Sequence, residues 1–252
     1  MKGLLLYLLS TGLAASPLWA ETQPGIALLN GNEIFSRLEK ENILRTERLQ
    51  SYSSLRRYAV FEKGKPSDAE IKVRMDYLAP STKKFKVLSQ SGAGWIDRWV
   101  FHSLLRAEQD AAGRENRAMS AITPANYEVT LLGDEHQRGH ECYILKLQPK
   151  RRDKYLIDGR IWVDKQDFAI VKLEGEPARS LSLWVTRAHL VREYQKIGEF
   201  WLPLKDATQV QIRLVGEYIL QIDYEEYDVN QKAKQMAEAG GGVVTHEPTR
   251  KE

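Results

Sequence analysis

Strict alternation of apolar and charged side chains over residues 70–77, EIKVRMDY, constrains the fold more than any other feature of this sequence. Every odd residue from Ile71 to Tyr77 is apolar, and every even residue is charged. Successive side chains of an extended chain point to opposite faces, so this pattern predicts a β-strand with one covered face and one face in water. After a break at Pro80-Ser81, Lys84-Phe85-Lys86-Val87 is expected to form the partner strand.

Further strand patterns follow between residues 127 and 229. Tyr127–Leu131 is expected to pair with Tyr143–Leu147, and Gln137-Arg138-Gly139 between them predicts a three-residue turn with Gly139 in the left-handed conformation. In residues 159–175, GRIWVDKQDFAIVKLEG, two β-branched runs flank a polar break, which predicts a β-hairpin. Further strands are predicted near residues 183–195, 209–214 and 218–224. Pro203, which cannot donate a ladder hydrogen bond, predicts an edge strand or a strand start.

Two segments have helical rather than strand periodicity. In residues 26–50, apolar residues recur near helical spacing among many charges, and Asn32 is the predicted N-cap. Residues 95–112, which contain Trp99, Leu104 and Leu105, predict a second helix. The fold class is therefore α+β: nine or ten antiparallel strands in one large curved sheet, a half-barrel, with helices covering its apolar face.

The chain ends indicate export and a single domain. Lys2, the apolar run over residues 4–9 and Ala20 before a polar stretch predict a secretory signal peptide cleaved after Ala20, hence a periplasmic protein. Residues 21–229 form one predicted domain, and residues 230–252, with three consecutive glycines, a predicted disordered tail. Cys142 is the single cysteine, so no intrachain disulfide can form, and its apolar neighbours predict a buried thiol.

The sequence gives little sign of catalysis. His136 and His140 lie among acidic residues and Cys142, as in some metal sites, but they also flank the predicted turn. We interpret them as turn-flanking residues and expect neither a metal nor a cofactor. The sequence contains no phosphate-binding glycine loop and no evident nucleophile with its base. A net charge of +3 is too small to indicate nucleic acid. We therefore expect a protein that is not an enzyme.

Two features indicate binding instead. The loop Lys150-Arg151-Arg152-Asp153-Lys154 is either simply solvated or contacts anionic lipid head groups or an acidic partner, with Lys150, Arg151 and Arg152 as the contact candidates. Five tryptophans remain after the predicted signal peptide, and they either fill a core or line an apolar groove between sheet and helices.

Several phrases also resemble a known superfamily, the outer-membrane lipoprotein-sorting proteins with the LolA-like fold, and in particular its uncharacterised exported members. The phrases are Lys150–Tyr155, Gly159–Asp164, Asp167–Val171, Glu174–Ala178, Tyr194–Lys196 and Phe200–Pro203. The resemblance implies a half-barrel sheet with helices that hold acyl chains, although relatives also include receptors and envelope-stress sensors. Residues 78–85 lack the Arg-Pro phrase of the carriers, so no gating residue is assigned.

The sequence therefore leads to one hypothesis and one alternative. The hypothesis is a monomeric, non-catalytic periplasmic carrier that binds acyl chains of lipids or lipoproteins for outer-membrane sorting, with transient membrane contact. The alternative is an envelope sensor or adaptor that uses the same fold to bind a protein partner. Pro203 and the lysines near residue 83 are expected to discourage pairing of sheet edges. The residues predicted to line the groove are Ile71, Val73, Met75, Trp99, Leu104, Ile161 and Val163.

Overall fold

The computed structural model describes residues 29–65, 69–92, 118–181 and 183–230. The described part is built from a long N-terminal helix followed by ten strands. These elements are α1 (Gly31–Arg48), β1 (Ser51–Glu62), β2 (Ala69–Leu78), β3 (Thr82–Ser91), β4 (Tyr127–Gln137), β5 (His140–Pro149), β6 (Ile157–Asp164), β7 (Ile170–Pro177), β8 (Val185–Ile197), β9 (Phe200–Ile212) and β10 (Gly216–Val229).

All ten strands belong to one antiparallel sheet with the order β3-β2-β1-β10-β9-β8-β7-β6-β5-β4. Two meanders, β1 to β3 and β4 to β10, are joined by the pairing of β1 with β10. The large antiparallel sheet expected from the sequence is confirmed. A helical cover is observed where α1 packs on the β4–β7 half, and the second predicted helix, 95–112, falls outside the described residues.

Helix α1 begins with a capping box. The Asn30 side chain accepts a hydrogen bond from the Glu33 N–H (3.0 Å), and the Glu33 carboxylate accepts one from the Asn30 N–H (2.9 Å). Asn32 is thus not the N-cap, because the helix begins earlier than its apolar spacing suggested. Arg45 and Arg48 in the last turn oppose the negative end of the helix dipole, which favours them at that end.

The predicted strand pairs are confirmed, with two local differences. β2 pairs with β3, β4 with β5, and β6 with β7 in the GRIWVDKQDFAIVKLEG hairpin. The β4–β5 turn has two residues rather than three, since Arg138 (φ 52°) and Gly139 (φ 86°) are both left-handed, as tight hairpins favour. Pro203 lies near the start of β9, which is one of its two predicted positions, beside a bulge at Leu204 of the same strand. The alternative edge position is not observed, because β9 is an interior strand.

Cross-strand register places one residue from each of eight neighbouring strands in a single row across the face that α1 covers. Directly paired residues of antiparallel strands lie on the same face, so the pairs in register define this row without a gap. From β2 to β5 it runs Ile71, Tyr58, Ile222, Asp206, Arg192, Leu173, Ile161 and Leu145. This inner face is apolar on both sides and ionic at its centre.

Candidate ligand-binding site

The structure places the predicted groove residues in two separate clusters on the inner face. Ile71 and Val73 pack with aromatic residues of β1 and β10, whereas Ile161 and Val163 pack beneath α1. Met75 is equally buried on β2, and all five side chains are at most 3% exposed. Trp99 and Leu104 lie outside the described residues. A groove that joins both clusters must therefore cross the residues that lie between them on the inner face.

The separation is polar. Asp206 is 3% exposed and accepts hydrogen bonds from both Nε and Nη2 of Arg192. The Tyr224 hydroxyl donates a further bond to Asp206 (2.8 Å), and the Arg56 guanidinium lies 4.9 Å from the Tyr224 ring centre. Burying these groups is tolerable because each charge has a partner. The apolar surface is thus divided into a β1–β2–β10 half and an α1 half.

A small cavity lies in the α1 half, between the helix and the sheet. Its volume is about 170 Å³. The apolar part of its lining comes from α1, from β7, from β9 and from the segment that precedes β4. Asn42 and Arg45 of α1 contribute polar atoms. The lining residues are Leu38, Asn42, Arg45, Ile122, Ala169, Ile170, Tyr194 and Trp201. Ile170 is the direct cross-strand partner of Val163, so this cavity adjoins one of the predicted groove residues.

A larger cleft of about 640 Å³ adjoins this cavity, since Arg45 lines both. It lies between the C-terminal half of α1 and the turns after β6 and β8. Five basic side chains line it against three acidic ones. The basic ones are Arg37, Lys40, Arg45, Arg48 and Lys196, and the acidic ones Glu41, Asp167 and Glu199. A basic cleft next to an apolar cavity suits an amphiphile with an anionic head.

Arg45 fixes α1 to the β6–β7 turn. Its guanidinium donates to the backbone carbonyls of Asp167 (2.8 Å) and Phe168 (2.9 Å). The turn is preformed for this contact because Asp164 Oδ1 accepts hydrogen bonds from the N–H groups of Gln166 and Asp167. Arg45 is only 9% exposed, so its bonds to the turn are part of the helix–sheet contact rather than a surface interaction.

Asp167 connects the same turn to β8 and β9. One carboxylate oxygen accepts a hydrogen bond from Trp201 Nε1 (2.8 Å) and forms an ion pair with Lys196 (2.6 Å). Burial by itself raises the pKa of Asp167, but these two partners outweigh it and hold the pKa below its ordinary value. The wall of the cleft therefore carries a fixed negative charge among several cations.

Sequence reasoning missed Arg45, Asp167 and their partners, although one signal was available. Ile34, Leu38 and Arg45 share one face of α1, since residues four and seven apart lie on the same side of a helix. A charged residue on a buried stripe needs partners from another element. The β6–β7 turn supplies them here.

The histidine and cysteine cluster is built into the sheet. His140 Nδ1 lies 3.0 Å from Asp164, and the His140 ring packs edge-on against Trp201. No group of three or more potential metal ligands occurs within the described ranges. Cys142 is fully buried as predicted, and burial followed by the nearby Asp164 charge raises its pKa to about 12. Such a thiol is a poor nucleophile.

The predicted head-group contacts are partly engaged within the protein. Arg151 donates to the Asn126 side chain and the Met119 carbonyl (2.6 Å each), and Lys150 donates to the Pro124 carbonyl (2.7 Å). These bonds hold the segment before β4 against the loop. Arg152 is exposed. Among the described residues, no helix is long and apolar enough to span a bilayer.

Several solved structures are similar to this chain in fold. A DUF1329 family protein from Desulfovibrio piger shares 15% identity over 79% of this chain and 93% of its own, with a TM-score of 0.41. A LolA superfamily protein from Nitrosomonas europaea shares 13% over 79% and 93% (TM-score 0.37). A domain described as an outer membrane lipoprotein-sorting protein, from Vibrio parahaemolyticus, shares 14% identity over 77% of this chain and 91% of its own (TM-score 0.40). Each of these likenesses concerns the fold alone.

The family can be stated more narrowly. The chain belongs to a family described as "Uncharacterized protein", whose model matches residues 107–232, half of the 252 residues. Among curated proteins none matches this sequence.

Proposed function

We propose that this protein is a non-catalytic periplasmic carrier that binds the acyl chain of a lipid or lipoprotein between α1 and the sheet. The observation that carries the proposal is Arg45, which lines both the basic cleft and the apolar cavity. A ligand with an anionic head and an apolar chain fits this arrangement, with its head in the cleft and its chain in the cavity. The resemblance to acyl-chain carriers supports the same class of ligand.

The size of the cavity determines how such a ligand binds. A cavity of about 150 Å³ is large enough for a benzene molecule. The cavity of about 170 Å³ therefore has room for the end of an acyl chain, with Leu38, Ile122 and Ile170 as its apolar contacts. A longer chain requires α1 to move away from β6, which exposes Ile161 and Val163 as lining. Each further methylene then contributes about 0.8 kcal/mol, and this offsets the cost of displacing the helix.

The β2 half of the predicted groove provides a second position on the same face. Ile71, Val73 and Met75 belong to it, and Trp99 and Leu104 remain proposed groove residues. The Arg192–Asp206 pair lies between the two halves. A single chain is therefore proposed to occupy one half, with the α1 half preferred because the cavity and the cleft meet there.

Native mass spectrometry of protein purified gently from its own envelope tests the proposal. We expect co-purifying lipid. Ala169→Leu, which fills the cavity, should remove that lipid while circular dichroism shows an intact fold. Lys40→Gln should weaken retention of anionic lipid, whereas Lys146→Gln on β5, outside the cleft, serves as the matched control. Val73→Glu examines the β2 half in the same way.

The outcomes separate the carrier from its alternative. Loss of lipid with Val73→Glu but not Ala169→Leu would move the ligand to the β2 half and keep the carrier. If the wild-type protein retains no lipid and binds no added fatty acid or phospholipid, the carrier proposal is wrong. The adaptor, which binds an envelope protein through the same fold, then becomes the hypothesis to test.

A further inference from the structure

The turns of the sheet gather at its two ends, and the ends differ in chemistry. One end, here called the basic end, consists of the described loop residues 63–65, 150–156, 178–181, 183–184 and 213–215. The opposite end consists of residues 79–81, 138–139, 165–169 and 198–199. We propose that the basic end docks on the surface of an anionic lipid bilayer.

Charge distinguishes the two ends. The described residues of the basic end include eight basic side chains and one acidic side chain, Asp153, whereas the opposite end has two of each sign. The basic residues are Lys63, Lys65, Lys150, Arg151, Arg152, Lys154, Arg179 and Arg213. Five of them, Lys150, Arg152, Lys154, Arg179 and Arg213, are exposed and form no ion pair with the described residues. Such a cluster is attracted to anionic head groups.

Apolar side chains project from the same end. Leu183 is 91% exposed and Leu214 95% exposed, with Trp184 and Val215 exposed beside them. The two loops that carry them are adjacent, because the Arg213 N–H donates to the Trp184 carbonyl (2.9 Å). Leucine and tryptophan at a loop tip, surrounded by arginine, fit the boundary between head groups and acyl chains.

The backbone at Leu214 supports a contact outside the chain. Leu214 has a φ of 64°, in the left-handed region where glycine or asparagine is favoured. The side chain gains almost nothing from burial, since nearly all of it is in solvent. A leucine at this position is thus unfavourable for the backbone of the turn, and its side chain adds no stability through packing in the core. Insertion into a bilayer gives it a function.

Binding to vesicles tests the proposal without reference to what the α1 cleft holds. The protein is purified in the form that the cell exports and sedimented with vesicles of phosphatidylglycerol and phosphatidylethanolamine, or of phosphatidylcholine alone. We expect binding to the anionic vesicles that weakens as salt is raised. Leu183→Ser with Leu214→Ser should weaken it about tenfold or more. Leu132→Ser, which replaces an exposed leucine of β4, is the matched control and should bind normally.

The charge contribution is measured separately. Arg179→Gln with Arg213→Gln should weaken binding to anionic vesicles about 25-fold, at about fivefold per charge. Arg138→Gln, at the opposite end, should have little effect. Equal binding of all these variants, or absence of binding to anionic vesicles, would overturn the proposal. Binding of a protein partner that the tip variants abolish, with vesicle binding unchanged, would also overturn it and assign the end to that partner.

Discussion

Asp206 and Arg192 form a two-bond ion pair at the centre of the inner sheet face, with both N–O distances 2.6 Å. The Asp206 carboxylate is almost completely buried, whereas the Arg192 side chain is 38% exposed. The negative charge of the pair is therefore buried, whereas the positive charge of Arg192 is partly exposed to solvent. Its position on β8 and β9 separates the two apolar clusters.

Replacing Asp206 with alanine should destabilise the fold substantially. The change leaves Arg192 without its partner and the Tyr224 hydroxyl without its acceptor. Together these losses should lower the free energy of unfolding by about 2–4 kcal/mol. Urea denaturation followed by circular dichroism measures this value. Asp158→Ala, at an exposed position on β6, is the control, and equal losses for the two variants would contradict the assigned role.

Much of the sheet could be predicted because its strands have one of two recognisable patterns. Residues 70–77 alternate strictly, whereas the 159–175 hairpin consists of apolar runs around a polar break, because Trp162 and Val171 are buried on its other face. Strand β1 was not predicted because its inward residues include Ser54 and Arg56, both buried. A strand with polar groups on its covered face has no alternation to recognise. Ser54 and Arg56 belong to a strand because β1 pairs with β2 on one side and with β10 on the other.

The site was harder to predict for the same physical reason. Ile161 and Val163 were identified as inward residues of the hairpin, and the structure places them on that face under α1. The cleft, however, depends on Arg45 contacting carbonyls more than 120 residues later, and on Lys196 and Trp201 meeting at Asp167. Such contacts arise from tertiary packing between distant elements. The helical spacing of Ile34, Leu38 and Arg45 could indicate that Arg45 is buried, but no local spacing identifies its partners.

Two facing glycines on β6 and β7 allow the backbones of these strands to approach closely. Gly159 and Gly175 are cross-strand partners, and a Cβ on Gly175 would collide with the Asp158 carbonyl and the Ile157 side chain. Gly175→Ala should lower the free energy of unfolding by about 1–3 kcal/mol, as overpacking does elsewhere. Thermal and urea unfolding measure the loss. Glu176→Ala, at the next exposed position, should change it little, and a Gly175→Ala variant of unchanged stability would refute the close approach.

Removing the Arg45 contact should loosen α1. Arg45→Leu deletes both hydrogen bonds to the β6–β7 turn and leaves the Asp167 and Phe168 carbonyls without that donor. We expect a loss of about 1–3 kcal/mol in the free energy of unfolding. Amide hydrogen exchange should speed up in α1 and in residues 165–169 before it does so in β1 and β10. Lys40→Leu, exposed on the same helix, is the control. Uniform acceleration across the sheet would instead indicate general destabilisation.

The thiol of Cys142 should be unreactive in the folded protein and should make stability depend on alkaline pH. Burial, reinforced by the Asp164 charge, raises its pKa to about 12, whereas an unfolded cysteine ionises near pH 8.5. The unfolded chain therefore loses this proton first, and the stability contributed by the protonated thiol falls between about pH 8.5 and pH 12. Native protein at pH 8 should not react with a thiol reagent, and urea-unfolded protein should react fully. Cys142→Ala should show a smaller loss of stability between pH 8 and pH 10 than the wild type. Rapid labelling of the native protein at pH 8 would place this thiol at the surface and contradict the assigned packing with Trp162 and Val171.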